Sequence, residues 1–488
     1  MFIIVQRINN IGNKKLVGSC FLIAVLIMVI SFAYAYWNMS FTQTGKTVSS
    51  YDCFDVKFVE EKDGVTLTNG YPLSDEAGLG TESYDVTITN VCNTITSYDV
   101  VLNKLDTSTL KDDYIKIAVN DDIELLSDTK TVKSNLANAL EGKVILSGVL
   151  LENQSKTISI RNWMDIDTPE EEGTNKVLEY KITIEATAGE SNLLASNILK
   201  NNIVNESPNY LIGEPPSSSS NTGSGLYKAE DNDGDSYYYR GAVSNNYVLF
   251  AGITWRIVRI NGDGTIRIIM QDSSLRDIFN TAGDGHKYTG FTYDNESLCS
   301  LDNQCITTFD VNSKTFTNNK NVTNSTIKST LENWYISNLS DFDSHIALTN
   351  YCADTYYTVG GDWHTYGAFT RVSQGNPSFL CTNPNDTYGG SYKLKIGLLS
   401  LDEFNMAGYG YNEAANASNY LYITRSEWTM TPRYSSSTKS AVCTTKNGNA
   451  NENYITSYTE TYRPVINLNA NVEISGGNGS SLKPYIIK

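Results

Sequence analysis

The chain has 488 residues and a formal net charge of −17 at pH 7, with 54 acidic and 37 basic side chains. A surface of that sign repels nucleic-acid phosphates, and no cluster of lysine and arginine offsets it locally, so nucleic acid is excluded as a partner. Tyrosine is abundant, with 32 residues, while only 19% of residues are charged. This composition is typical of β-rich exported proteins rather than helical enzymes.

The N-terminal segment, residues 1–36, predicts export. Three cationic residues precede an uncharged run from Leu16 to Phe32. Cationic residues stay on the cytoplasmic side during insertion, so the rest of the chain is expected outside the membrane. The run is long enough to span a bilayer, and Ala33–Ala35 also has the small-x-small pattern of a signal-peptidase site. The protein is therefore either anchored in the cell membrane or secreted after cleavage near Ala35.

Residues 50–190 predict an antiparallel β-sandwich. Apolar and polar side chains alternate from Tyr84 to Ile88, and the pattern recurs at 158–160 and 180–184. A period of two places one face of each strand in a core and the other in water. One short helix is predicted between Val132 and Leu140, before a glycine that would end it.

Residues 206–225 predict a flexible linker. The segment is rich in proline, serine and glycine, and such a composition buries too little apolar surface to fold. The linker would connect the sandwich to a second domain, residues 226–488. The predicted fold class is therefore mainly β, with an α+β second domain.

The second domain contains strong local patterns. Two strand-like runs over 248–260 are followed by a turn at Asn261–Gly264 and a returning strand to Met270, which predicts a β-hairpin. Apolar residues at helical spacing predict a helix from Ser325 to Leu339, and a second helix is expected from Ser400 to Gly408.

Seven cysteines follow the hydrophobic run and fit an oxidising compartment. The predicted disulfides are Cys53–Cys92, Cys299–Cys305 and Cys352–Cys381, with Cys443 left over. Spacing alone does not fix connectivity, and the alternative is that these cysteines are small buried apolar residues.

Two parts of the chain resemble known families. Ala33–Asn38 and the strand-like run Tyr84–Leu102 resemble exported matrix proteins of the TasA and camelysin type. Four motifs occur in order in the C-terminal part: Phe250–Val258, Ile396–Glu403, Trp428–Pro432 and Tyr462–Leu468. Their order resembles an uncharacterised bacterial surface-protein family.

The C-terminal resemblance implies a C-type-lectin-like fold, which formylglycine-generating enzymes and phage-type variable receptors share. Such a module is compact, and its N-terminal and C-terminal strands pair. The resemblance implies no activity, because fold does not determine function. The paired cysteine active site of the catalytic relatives has no match at Cys381 or Cys443.

Exposed aromatic residues are candidates for ligand binding. Trp363, His364, Tyr366 and Trp428 could present flat rings to a carbohydrate or to a surface protein. The alternative is that these rings are packed between strands and that His364 is an ordinary surface histidine. The chain has only three histidines and neither an HExxH nor a CxxC motif, which disfavours a zinc or Cys–His enzyme.

A calcium loop is a second candidate site. Asp231, Asp233 and Asp235 bring three carboxylates close together in the sequence around a glycine, which is how oxygen ligands gather for calcium. The twelfth position of an EF-hand loop is not Glu, so a solvated acidic turn is the alternative. No other cofactor is expected.

Arg463 is interpreted as a structural residue. Its rigid guanidinium could satisfy buried carbonyls or an acid such as Glu403 or Asp402, and so hold the last strands together.

The sequence predicts a non-catalytic adhesion or ligand-binding protein of the cell surface. One alternative is an envelope enzyme that modifies glycan or protein through carboxylates such as Asp402, Glu403 or Asp354. The other is a structural matrix subunit, in which residues 36–205 assemble into fibres.

Overall fold

The computed structural model describes the backbone of residues 38–488 except 42–53, 59–65, 69–71, 93–95, 135, 151–152, 175, 189–191, 206–207, 209, 211–222, 282–285, 294–304, 353–356, 361–362, 382–390, 412–416 and 436–439. The chain divides into two compact units: the first contains most residues up to Thr187, and the second contains Ala188–Lys488 together with the short segments 95–97 and 147–149. The predicted signal or transmembrane segment, residues 1–36, lies outside the described residues. Within the described ranges, no helix is long and apolar enough to cross a membrane.

The first unit consists mainly of strands joined by short turns. Its described strands are β1 (Asn38–Phe41), β2 (Phe54–Phe58), β3 (Thr66–Thr68), β4 (Pro72–Leu73), β5 (Tyr84–Asn90), β6 (Thr96–Leu105), β7 (Ile115–Val119), β8 (Asp122–Leu125), β9 (Lys130–Val132), β10 (Ala139–Leu150), β11 (Ser155–Asp165) and β12 (Leu178–Ala188). Its helical segments are α1 (Asp75–Leu79), α2 (Glu170–Gly173) and 3-10 turns at Asp112–Tyr114 and Leu126–Asp128.

These strands form two sheets that share one core. The first sheet has the order β3-β1-β12-β6-β10-β9, and the second has the order β2-β5-β11-β7-β8, with β4 also on β11. Tyr84, Val86 and Ile88 of β5 are buried at alternate positions, and they belong to the same cluster as Val100 and Leu102 of β6 in the other sheet. The predicted β-sandwich is confirmed, although β1–β12 and β4–β11 are parallel pairs.

The predicted helix from Val132 to Leu140 is wrong. Val132 ends β9 and Ala139 begins β10, and the two strands pair antiparallel with Gly142 opposite Val132. A side-chain carbon at Gly142 would lie 2.7 Å from Val101 Cγ1 and 3.0 Å from Val132 Cγ2. The glycine therefore permits close packing of side chains on neighbouring strands, and it does not end a helix.

The second unit combines strands with short helices. Its described strands are β13 (Val204–Asn205), β14 (Gly225–Asp231), β15 (Gly234–Arg240), β16 (Tyr247–Phe250), β17 (Ile253–Ile260), β18 (Ile266–Met270), β19 (Arg276–Ile278), β20 (Thr292–Tyr293), β21 (Cys305–Asp310), β22 (Thr315–Asn318), β23 (Thr323–Asn324), β24 (Thr349–Cys352), β25 (Tyr357–Gly360), β26 (Trp363–Tyr366), β27 (Ser391–Leu394), β28 (Glu427–Ser435), β29 (Ser440–Lys446), β30 (Asn449–Ile455), β31 (Thr459–Thr461), β32 (Val465–Leu468), β33 (Ile474–Gly476) and β34 (Tyr485–Ile487). Its helical segments are α3 (Leu194–Lys200), α4 (Thr326–Asn338), α5 (Gly367–Ser373), α6 (Leu401–Met406) and 3-10 turns at His286–Thr289 and Ser340–His345.

The largest sheet of the second unit joins its N-terminal and C-terminal strands. Its order is β13-β14-β15-β17-β16-β34-β33, with β18 linking β17 to β32. The predicted hairpin is confirmed in β17 and β18, and β16 pairs with β34 in parallel. Both predicted helices are present, as α4 and α6. The side chains of Ser325 and Ser400 cap their N-termini, as the sequence indicates. The observed class is mainly β, as predicted.

The chain enters the second unit before the predicted linker. Val204 and Asn205 pair in parallel with Leu226 and Tyr227, so the segment between them connects two neighbouring strands of one sheet. Tyr210, within the predicted linker, hydrogen-bonds through its hydroxyl to the Tyr238 hydroxyl at 2.5 Å. The division between the units at Thr187 therefore precedes residues 206–225, of which 211–222 lie outside the described part.

Candidate functional site

A second sheet of this unit carries the Trp428–Pro432 motif on β28. The sheet has the order β19-β31-β28-β26-β25, and β29 pairs with both β28 and β30. Pro432 lies opposite Val442, whereas Tyr434 lies opposite Ala441, so Arg433 is the extra residue of a β-bulge. Proline lacks the N–H that a regular ladder needs, and bulges re-aim side chains. At this bulge, side chains of β28 no longer alternate regularly between the two faces of the sheet, and Arg433 is the residue without a partner in the ladder.

The Arg433 guanidinium lies on an aromatic platform. Its central carbon is 3.0 Å from the centre of the Phe369 ring, and the Phe369 and Tyr411 rings meet edge to face with centres 5.5 Å apart. Tyr434 follows Arg433 on β28, and all four side chains are partly exposed. Arg433, Phe369, Tyr411 and Tyr434 are named here the Arg433 cluster. It combines a cation with partly exposed rings at the protein surface.

Arg433 has no acidic partner among the described residues. Its Nε–H is buried and donates no hydrogen bond. Burial lowers the pKa of Arg433, while Cys443, Tyr411 and Tyr434 raise it. These three neighbours carry a thiol and two phenol groups rather than carboxylates. The positive charge of Arg433 is therefore not neutralised by the described part of the protein.

Most other buried arginines of the second unit form ion pairs. Guanidinium–carboxylate contacts connect Arg259 to Asp231 and Glu403, Arg267 to Glu403, Arg371 to Asp402 and Arg463 to Glu427. Burying an unpaired charge is costly, so such pairing is the expected arrangement. Arg256 is also buried without an ion pair, but it donates to the Asn246 side chain and the Val243 carbonyl. Arg433 differs in that its Nε–H has no acceptor among the described residues.

The helix that carries Phe369 is held by a buried ion pair. Arg371 on α5 donates to Asp402 on α6 at 3.1 Å, and Asp402 is fully buried. The Ser378 backbone N–H also donates to Asp402 Oδ1, at 3.0 Å. Because the supporting contacts are buried, they fix the backbone from which Phe369 extends.

The carboxylates proposed for an enzyme are engaged in these pairs. Glu403 accepts hydrogen bonds from Arg267 and Arg259, and its second oxygen accepts from the Ser400 backbone N–H at 2.9 Å. Burial by itself would raise the pKa of Glu403, but the two guanidinium groups hold it below its usual range. Glu403 is 4% exposed and Asp402 is 0% exposed, so neither carboxylate lies at the surface. Asp354 lies outside the described residues.

Arg463 is structural and bonds to a buried carbonyl, as predicted, but the acid it binds is Glu427 rather than Glu403 or Asp402. Its Nε donates to Glu427 Oε1 at 2.6 Å and its Nη2 to Glu427 Oε2 at 2.8 Å. A further hydrogen bond joins Nη2 to the Leu421 carbonyl at 3.0 Å. Glu403 and Asp402 are unavailable to it, since other arginines bind them.

Two of the predicted ligand-binding residues belong to the core. Tyr366 is 2% exposed and shares a hydrogen bond with Thr289 Oγ1 at 2.9 Å. Trp428 is 1% exposed, and its Nε1 donates to the Asp277 carbonyl at 3.0 Å. Rings that are packed and hydrogen-bonded in this way do not offer a face to a ligand, so these two predictions are wrong.

Trp363 and His364 lie on the strand beside the bulge. In the pairing of β26 with β28, His364 is opposite Ser435 and Thr365 is opposite Tyr434. The side chains of Trp363 and His364 lie outside the described part of the structure, so their predicted role stays a prediction. The backbone nevertheless places this segment next to the Arg433 cluster.

The predicted calcium loop is a hairpin turn between β14 and β15. Asp231 turns inward, where it accepts from Arg259 Nη1 at 2.7 Å and from the Gly262 backbone N–H at 2.9 Å. Asp235 pairs instead with Lys228 at 2.8 Å. Asp231, Asp233 and Asp235 do not converge on a cation, and the described residues contain no group of three His, Cys, Asp or Glu side chains that could hold a metal ion.

Of the three predicted disulfides, only one has both cysteines within the described residues. Cys352–Cys381 is confirmed, with Cα atoms 5.4 Å apart. Cys92 and Cys305 are also disulfide-bonded. Their predicted partners, Cys53 and Cys299, lie outside the described residues, so those two pairings stay predictions.

The leftover cysteine lies beneath the bulge. Cys443 on β29 is a buried thiol, as expected for the odd member of the set. Its sulfur donates to the Pro432 carbonyl at 3.7 Å. The thiol supports the backbone that carries Arg433.

Sequence reasoning did not select Arg433 or Phe369, although Tyr411 is among the aromatic residues that it offered as flat faces for a ligand. One local signal could have found the first of them, because Pro432 stands inside a strand-like run and a proline within a sheet marks an edge or a bulge. Phe369 and Tyr411 are distant in sequence from Arg433, and only the tertiary contacts bring them together.

Comparisons with protein-family models, with curated proteins and with solved structures found no match to this chain.

Proposed function

We propose that the chain is a non-catalytic ligand-binding or adhesion protein of the bacterial cell surface, and that the Arg433 cluster is its recognition surface. The observation that carries this proposal is a partly exposed guanidinium, fixed on the Phe369 ring, without an acidic partner in the described residues. Arginine offers five N–H donors in a planar fork. A charge held in this way is ready to bind a group from outside the protein.

Two independent features support the compartment in this proposal. The uncharged N-terminal run with its preceding cations is an export segment, which leaves the protein either anchored or secreted after cleavage near Ala35. The Cys352–Cys381 disulfide supports an oxidising location, since disulfides rarely persist in the cytosol. In this proposal the first unit is a spacer between the membrane and the binding module.

A C-type-lectin-like fold for residues 226–488 is part of the proposal. Its support is the parallel pairing of β16 with β34, which brings the two ends of the module into one sheet. The absence of a catalytic role is supported by Asp402 and Glu403, whose carboxylates are buried in arginine pairs.

The test is binding of the purified full-length chain, in detergent, to a glycan and surface-protein array. We expect reproducible hits that Arg433→Ala abolishes and that Lys228→Ala, at an exposed lysine of the same unit, leaves unchanged. Hits that survive Arg433→Ala would remove the Arg433 cluster from the proposal. Silence of the wild-type chain on both arrays would overturn the binding function and favour the fibre-forming role.

Calcium provides a second readout in the same experiment. Recognition by a guanidinium needs no metal, so the hits should persist in a chelator. Binding that requires calcium would place the recognition surface elsewhere in the chain.

A further inference from the structure

We infer that the ligand of the Arg433 cluster is a sugar that carries a carboxylate group. This inference rests on the proposed function and adds the chemical class of its ligand.

The charge of the ligand follows from the charge balance of the protein. The chain carries a net charge of −17, so an anion is repelled at long range, although salt screens that repulsion beyond about 8 Å. An anionic ligand therefore needs a local cation that the protein has not neutralised. Arg259, Arg267, Arg371 and Arg463 are all paired with carboxylates. Arg433 forms no such pair among the described residues, and its Nε–H donates no hydrogen bond.

The shape of the anion follows from the guanidinium. The Phe369 ring lies against the Arg433 guanidinium, with its centre 3.0 Å from the central carbon, and Arg433 as a whole is partly exposed. A carboxylate has two oxygens in one plane and can accept two parallel N–H bonds from such a fork. The Nε–H is buried, so a ligand from outside would bind through the terminal Nη1 and Nη2 donors, which lie along one edge of the planar guanidinium. A planar, two-oxygen anion satisfies this geometry better than a single-point acceptor.

The sugar follows from the rings around the cation. Tyr411 and Tyr434 are partly exposed on the same cluster, and each combines an apolar ring with a hydroxyl. A sugar ring has an apolar face that packs on such rings and hydroxyls that bond to phenols. Small-ligand sites commonly use this combination of aromatic contact and a few fixed polar groups.

The experiment measures affinities of the full-length chain by titration calorimetry in detergent. The probes are three carboxylated sugars, namely hyaluronan oligosaccharides, sialyllactose and oligogalacturonate. Each is compared with its carboxyl-reduced form, and polyglutamate supplies carboxylates without a sugar. We expect at least one of the three sugars to bind, and its reduced form to bind at least tenfold more weakly.

Two variants connect this effect to Arg433. Arg433→Gln should weaken the carboxylated sugar at least tenfold and should bind both forms of that sugar equally. Arg433→Lys keeps the charge but loses the planar fork, so its affinity for the carboxylated sugar should lie between that of the wild type and that of Arg433→Gln. Unchanged near-ultraviolet circular dichroism would establish that both variants are folded; an unfolded Arg433→Gln would leave the decision to Arg433→Lys and to the reduced sugars.

The outcomes separate the inference from the proposed function. Equal binding of native and carboxyl-reduced sugars would overturn the inference that the ligand needs a carboxylate. Polyglutamate binding as tight as that of the sugars would overturn the inference that the ligand needs a sugar ring. Failure of all three sugars would overturn the inference as a whole. In each of these cases, array hits that depend on Arg433 would still support the proposed binding function. Arrays without any hit would overturn both the proposed function and the inferred ligand class.

Discussion

Replacing Glu427 by glutamine should destabilise the second unit strongly. The Glu427 carboxylate receives both the Nε and the Nη2 hydrogen bonds of Arg463, and the two side chains are 2% and 1% exposed. Glu427→Gln removes the negative charge but keeps the size of the side chain. The guanidinium would then remain buried without a counter-charge, which is the costly way to break a buried pair.

The expected loss is about 3–5 kcal/mol in the free energy of unfolding of the second unit. The Leu421 carbonyl still accepts from Arg463 Nη2, and glutamine keeps one acceptor oxygen, so we expect the lower end of that range. The assay is urea unfolding followed by tryptophan fluorescence, because Trp255, Trp334 and Trp428 all lie in this unit.

The control is Lys228→Ala, which removes the partner of Asp235 from a pair whose lysine side chain is 48% exposed. Exposed pairs contribute little, so the loss should be several times smaller than for Glu427→Gln. The double variant Glu427→Gln with Arg463→Met should recover part of the loss, because no buried charge remains. A loss at Glu427→Gln no larger than that of the control would refute the reasoning that this pair holds the last strands.

The remaining predictions concern acid and reduction. The pKa of Glu403 is held below its usual range by Arg267 and Arg259 despite burial, so its stabilisation is present above the unfolded value of about 4.3 and is lost as pH falls through the folded pKa. Urea unfolding at successive pH values should show this loss in the wild type. In a Glu403→Gln variant, the free energy of unfolding should depend less steeply on pH over the same range. Cys352→Ser with Cys381→Ser opens a loop with a sequence separation of 29, and thermal unfolding should report a loss of about 3–4 kcal/mol, with no further effect of a reductant at this pair.

The candidate site was only partly accessible to sequence reasoning. The Trp363–Tyr366 segment was selected for its aromatic residues, and β26 does lie beside the bulge of β28. The same reasoning selected Trp428, whose ring is buried against Phe279. Aromatic residues serve both cores and binding surfaces, and their identity does not tell which of the two they serve.

The sequence by itself determined features that depend on neighbouring residues along the chain. Alternation in β5 set which side chains are buried, because a strand has a period of two. Ser400 and Glu403 form the capping box of α6, since the cap and its partner are three residues apart. Such interactions are encoded locally, and local patterns predict them.

Only the tertiary structure decided which distant groups meet. The partner of Arg463 is Glu427 rather than Glu403, Asp231 pairs with Arg259, and the chain runs from strand β9 to strand β10 where the sequence predicted a helix. These outcomes depend on strand register and on competition between several acids for several arginines. A sequence pattern fixes neither, because a single residue of register shift moves every side chain to the opposite face of its sheet.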